Sequence, residues 1–140
     1  MREILFRGKS IETGKFVYGD KLATPSGLMI VDFDSIDGFC DYGKTIGFRA
    51  SGVEIMRETL GQYTGLKDKN GVEIYEGDII KGDGDFTPDR LVTFSREALG
   101  FFVGEGEGEF IEQALYDVLF PEVIGKIYDN PELLEMNNVD

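Results

Sequence analysis

Histidine and tryptophan do not occur in the 140 residues, and Cys40 is the single cysteine. Each absence removes a class of chemistry. Without histidine there is no ordinary general base at neutral pH, no Ser-His or Cys-His nucleophile pair, and none of the commonest transition-metal ligand. One cysteine closes no disulfide within the chain and builds no cysteine cluster around zinc. Basic residues are also scarce: 14 Lys+Arg stand against 27 Asp+Glu, a net charge of −13. That balance argues against generic nucleic acid, whose main affinity term is phosphate neutralisation, and against an anionic membrane surface. Long hydrophobic runs are missing too. The start, MREILFRG, lacks the apolar stretch of a signal peptide, and no run approaches the roughly 20 residues of a membrane-spanning helix. The expected location is intracellular.

What the chain has in excess is glycine, 19 residues scattered along its length, as many short strands separated by turns require. Glu3–Arg7 and Lys15–Gly19 read as a hairpin around the turn ETGK. Pro25-Ser26-Gly27 precedes Leu28–Phe33 (LMIVDF), an apolar run of strand length, and Thr45–Arg49 reads as another strand. Leu60–Thr64 and Val72–Tyr75 flank an Asn-Gly pair, Asn70-Gly71, that suits a type I′ hairpin turn. Arg90–Ser95 and Gly100–Val103 continue as a meander, and Glu122–Tyr128 is a further strand. Between them Ile111, Leu115, Val118 and Leu119 fall on one stripe, which predicts a helix over Phe110–Phe120 ended by Pro121. Asn130 as cap and Pro131 at the first helical position predict a short helix near 131–136. The fold class is therefore mainly β (β-rich α+β).

Four stretches invite a chemical reading. In DFDSIDGFCDYG, residues 32–43, a calcium loop begun at Asp32 would need ligands or glycine where Ile36, Asp37 and Gly43 stand. In DKNG, with Gly71 as the invariant glycine, the first and last ligand positions fall on Leu66 and Gly77. Neither register works, so the first is expected as a solvated acidic loop, the second as a turn, and the protein as one that needs no metal. In YEGDII, Glu76 and Asp78 flank Gly77 just before Ile79 and Ile80. Acid–base work by two carboxylates needs a cleft and a means of splitting their pKa values; the sequence shows neither, so a turn leading into the next strand is expected. GEGEGE, residues 104–109, lacks the GxGxxG spacing, and its glutamates would repel phosphate; it reads as an acidic loop.

Three motifs together carry a resemblance. REILFRG near the start, ETLGQYTGLKDKNGVEIYEGDII in the middle and EVIGKIYDNPELL near the end resemble the YopX-like family, small proteins encoded by bacteriophages and prophages. The resemblance implies a mostly β structure with a small SH3-like barrel. It divides the chain into an N-terminal β-rich segment (1–57), a barrel region with the C-terminal helix (58–136) and a tail (137–140). It marks Gln62, Tyr63, Thr64, Gly65, Asp68, Gly71, Glu76, Gly77 and Asp78 in the central block, and Gly125, Tyr128, Asn130 and Pro131 in the closing one. It attaches no catalytic role and no cofactor to any of them.

The function expected from these readings is a phage or prophage accessory protein in the host cytoplasm, a non-enzymatic module that binds a host or phage protein. Its acidic surface favours a basic partner. Homo-oligomerisation is also expected, with LMIVDF as the pairing edge. A nucleic-acid-binding barrel is the alternative. It would use Tyr63, Tyr75, Phe86, Phe94, Phe101 and Phe102, with Arg49, Arg57, Arg90, Arg96, Lys67, Lys69 and Lys81 gathered in a groove. A carboxylate enzyme comes last, built on Glu76/Asp78 or on Asp32, Asp34, Asp37 and Asp41.

Overall fold

Alternating short strands and turn residues give two compact units that divide between Gln62 and Tyr63. The computed structural model describes residues 5–82, 90–95, 99–104 and 113–135, with the side chains of residues 33–36, 113 and 135 outside that description. Nearly every element is an antiparallel strand, so the fold is mainly β.

In the first unit, β1 (Phe6–Lys9), β2 (Phe16–Thr24), β3 (Gly27–Asp41) and β4 (Ile46–Glu54) run as a meander, each strand beside its predecessor. The other side of β1 takes the start of β5 (Gly61–Lys67), with Phe6 opposite Gln62 and Arg7 opposite Gly61. Leu28 and Ile30, two apart on β3, point to the same side and build the core with Ile55, against Phe6, Val17 and Leu60. A 3-10 turn at Arg57–Thr59 is fixed by Thr59, whose Oγ1 accepts the Lys9 N–H at 2.8 Å and donates to the Met56 carbonyl at 2.6 Å. Pro25-Ser26 makes a tight connection between Thr24 and Gly27, so β2 passes directly into β3.

Two expectations fail here. The stretch 32–43 is not a loop: β3 continues to Asp41, and Asp32, Asp37, Cys40 and Asp41 pair with Ser51, Arg49, Gly47 and Ile46. Register shifts on the β3 side absorb the extra residues, which is how an irregular acidic sequence stays in a strand. LMIVDF is not an edge either. It lies within β3, paired with β2 on one side and with β4 on the other.

In the second unit, β5 continues from Tyr63 and pairs with β6 (Glu73–Tyr75). Then β7 (Asp78–Lys81), β8 (Arg90–Ser95), β9 (Gly100–Gly104) and β10 (Gln113–Ala114) form a meander. A 3-10 turn at Leu115–Asp117 follows, and β11 (Glu122–Lys126) returns to the far side of β7. This order, with the last strand beside the first, is that of a small SH3-like barrel. Ile74, Ile80, Val92, Val103 and Leu115 are its core, with Phe101, Val118 and Val123 packed against them. Helix α1 (Glu132–Glu135) ends the described chain.

The helix expected over 110–120 does not form in the part described. Gln113–Ala114 pairs with Val103 and Phe102, the 3-10 turn follows, and Leu119 and Phe120 are exposed. The open side of β9 captures the segment, and Pro121 disfavours helical geometry in the residue before it, so sheet pairing overrides the 3.6-residue stripe. The GEGEGE glutamates and residues 83–89 lie outside the described residues.

Candidate functional site

The hairpin that joins β5 to β6 is organised by one carboxylate. Asp68 Oδ1 accepts the N–H groups of Asn70 at 2.8 Å and Val72 at 2.9 Å, and its Oδ2 accepts the Val123 N–H at 3.0 Å. Gly71 N–H donates to the Asp68 carbonyl at 3.0 Å, and Gly71 has φ +84° while Asn70 stays out of the left-handed region. The turn is therefore not type I′. It has the pattern of a type I turn followed by a left-handed glycine, selected by an aspartate at its first position. Burial by itself raises the Asp68 pKa; the three donors from Val123, Val72 and Asn70, with the Lys69 cation nearby, outweigh it and hold the carboxyl below its ordinary 3.8.

The other motif residues have comparable structural tasks. Thr64 donates its hydroxyl to the Ile74 carbonyl at 2.8 Å, and the Tyr63 ring packs 5.4 Å from that of Tyr75. Gly65 is exposed beyond them, and Gln62 and Glu76 are half-buried. Gly77, at φ +94°, donates to Val92 and accepts from Ile127, both at 2.9 Å, so it joins β8 to the end of β11. Asp78 is only 1% exposed, and its Oδ2 accepts the Tyr75 N–H at 2.8 Å. Asn130 turns its side chain back to the Lys126 N–H at 3.2 Å, over Gly125, where an added Cβ would meet Asn130 Oδ1 and Leu133 Cδ1 at 2.8 Å. Tyr128 is partly exposed beside it, and Pro131 precedes α1. Glu76 and Asp78 thus sit on a turn and at the start of a strand, as the local reading expected.

None of these residues lines a concavity that the described residues form in this unit. A pocket of about 170 Å³ opens between Leu66, Lys67 and Ile74 on one side and Leu115, Tyr116, Val118 and Pro121 on the other. Its two walls are tied together. The Lys69 N–H donates to the Pro121 carbonyl at 2.8 Å, Lys69 Nζ lies 3.2 Å from Glu122, and Asp68 reaches Val123. Ile74 and Leu115 form its floor from the core, while Tyr116, 77% exposed, and Leu66 stand at its mouth. Among the described lining residues Lys67 is the charged one, and its aliphatic stem extends the apolar wall. None of those described residues is a carboxylate, thiol or serine. At this size, below the range of drug-sized ligand sites, it matches a single side chain.

Among the described residues, no three Asp, Glu or Cys side chains gather as a metal-binding group, and no helix is long and apolar enough to cross a membrane. The family model described as YopX protein matches residues 5–135. The chain belongs to the YopX family. The crystal structure of protein EF1440 from Enterococcus faecalis is similar to this YopX-family chain, at 25% identity and a TM-score of 0.58, over 96% of this chain and 99% of that one. No curated protein matches the sequence.

No pattern in the sequence marks the pocket residues as one site. Lys67 enters the sequence reading only as a groove cation and Leu115 and Val118 only as a helix stripe, while Leu66 lies in the central motif beside the more conspicuous Asp-Lys-Asn-Gly. Tyr116 and Pro121 were assigned to a helix and its stop.

Proposed function

We propose that this YopX-family protein is a non-enzymatic accessory protein of a bacteriophage or prophage, acting in the cytoplasm of the host cell. It binds a host or phage protein by seating one apolar side chain of a basic segment in the pocket between Leu66 and Tyr116. The observation that carries this reading is the pocket itself: apolar walls tied together by Lys69 and Asp68, with the Lys67 amine and the Tyr116 hydroxyl at its rim as the polar side-chain groups among the described lining residues. The net charge of −13 supports the choice of a basic partner, because it steers cationic segments toward the chain at long range. The phage setting rests on family membership.

The nucleic-acid reading draws less support. Tyr63 and Tyr75 are buried against each other, Arg7 is buried, and Arg49 and Lys69 are engaged with Asp37 and Glu122. The carboxylate-enzyme reading would need Glu76 and Asp78 to share a cleft, and Asp78 is buried with an oxygen committed to the Tyr75 amide.

The test is a photo-reactive amino acid in place of Tyr116, used in infected cells, with Leu66→Glu as the matched variant. We expect one protein to be captured, with capture lost in Leu66→Glu and weakened by added salt, since exposed charges are screened beyond about 10 Å at 0.1 M. Purified protein should retain neither duplex nor single-stranded DNA at physiological salt. Capture indifferent to Leu66→Glu would remove the pocket from the reading, and tight, salt-sensitive DNA binding would replace it with the nucleic-acid alternative.

A further inference from the structure

We infer that β4 is a self-pairing edge, and that two copies of the chain join antiparallel along it about a two-fold axis at Ala50. This does not depend on the pocket. β4 closes the strand order, and among the described residues its outer side is taken at its last residue, where the Glu54 carbonyl accepts the Ile11 N–H at 3.1 Å beside the Ser10–Ile55 bridge; residues 46–53 have no described strand there. Natural edges of such length are blunted by lysine, proline or a bulge. The nine residues of β4, IGFRASGVE, contain no lysine and no proline, and the register shifts fall on β3.

The outer part of the β3–β4 hairpin also needs a neighbour. Residues 37–46, 48 and 49 are all exposed, leaving a two-stranded ribbon open on both faces. Register pairs Cys40↔Gly47 and Asp41↔Ile46 place Phe39, Ile46 and Phe48 on one of those faces, at 62%, 60% and 42% exposure. A ribbon of two strands is marginal in water, whereas three or more strands with an apolar face stand on their own. A second β4 makes four strands and brings both aromatic sets onto one continuous face.

Charge and side-chain size indicate that the neighbour is a second copy. Residues 37–50 carry Asp37 and Asp41 against Lys44 and Arg49, so this ribbon is neutral in a chain of net charge −13. Two copies meet here without the repulsion that other surfaces would impose. An antiparallel pairing centred on Ala50 sets Arg49 opposite Ser51, Phe48 opposite Gly52 and Gly47 opposite Val53, and stops short of Glu54, whose carbonyl is held by Ile11. Each large side chain then faces a small one, and no like charges are opposed.

The experiment is solution mass by light scattering over a concentration series, together with cysteine cross-linking in a Cys40→Ser background. The expected mass is twice the 15.6 kDa of one chain. Ala50→Cys should cross-link on oxidation, because residues opposite one another at the axis have Cα atoms about 4.5–5.5 Å apart, within disulfide range. Thr45→Cys should not, since five residues on each side of the axis separate the two thiols by roughly 33 Å. Ala50→Glu, which opposes two carboxylates at the axis, should halve the mass without changing the far-UV circular dichroism. A monomer at every concentration, cross-linking at Thr45→Cys rather than Ala50→Cys, or a dimer that persists in a folded Ala50→Glu would each overturn the inference.

Discussion

Replacing Asp68 by asparagine tests whether one carboxylate holds the β5–β6 hairpin to β11. The native side chain accepts three backbone N–H groups, two from its own turn and one from Val123, 55 residues away in sequence. Asparagine keeps one acceptor oxygen, which can serve Asn70 and Val72. Its amide nitrogen then faces the Val123 N–H at a separation near the native 3.0 Å, donor against donor. One hydrogen bond to a charged group is lost, about 1.5–3 kcal/mol, and the two retained become neutral, so the total cost is about 2–4 kcal/mol.

The pH dependence supplies a sharper check. Because the folded pKa lies below the ordinary 3.8, the carboxylate's contribution is fully present above that value. It is lost as pH falls through the lower folded value. A protonated aspartic acid has nearly the donor–acceptor pattern of asparagine, so wild type and Asp68→Asn should converge in acid. Urea unfolding at neutral pH and at steps below 3.8 reads both effects. Equal stability at neutral pH, or a gap that stays constant into acid, would refute the assignment of Asp68 as the staple.

Gly8→Ala should destabilise by about 1–3 kcal/mol, because the new methyl would stand 2.2 Å from Ile55 Cδ1 and 3.0 Å from Ile55 Cβ; a thermal melt checks it, and an unchanged midpoint would show that Ile55 can yield. Melting temperature should be indifferent to chelator and to added Ca²⁺ or Mg²⁺, since both calcium-like stretches lack the late ligands, one forming β3 and the other a tight turn. Cys40, exposed on β3, should react with a thiol reagent in the native protein as readily as in urea; protection would mean that β3 is covered there.

Strands with clean alternation between turn residues were legible in the sequence. Phe16–Thr24, Arg90–Ser95 and Glu122–Lys126 all begin within a residue of the expected places, because apolar runs bounded by glycine and proline admit few other conformations. The segment 113–120 was not legible. Its helical stripe was genuine, but the hydrogen-bonding demand of β9 could not be read from residues ten or more positions away. The length of β3 was hidden for a similar reason. Aspartates at 32, 37 and 41 speak against a strand in isolation, and only pairing with β4, relieved by register shifts, keeps them in one.

The same contrast explains why the motif residues and the pocket residues differ. Asp68, Gly71, Gly77 and Asp78 are conspicuous because backbone geometry requires them: a carboxylate to collect amides, and glycines at φ +84° and +94° where other side chains would be strained. Such requirements are local, so they stand out in a single sequence and are easily taken for chemistry. Leu66, Tyr116 and Pro121 meet no comparable local demand. Each is an ordinary apolar residue until the Asp68–Val123 and Lys69–Pro121 contacts bring segments about 50 positions apart to the two sides of one opening. If a partner binds there, the staple is also a means of setting the pocket's width. Asp68→Asn should then weaken capture at Tyr116 even at temperatures where the variant is fully folded, whereas Gly8→Ala, confined to the first unit, should not. Equal capture by the folded Asp68→Asn variant would separate the hairpin's stability from the pocket's function.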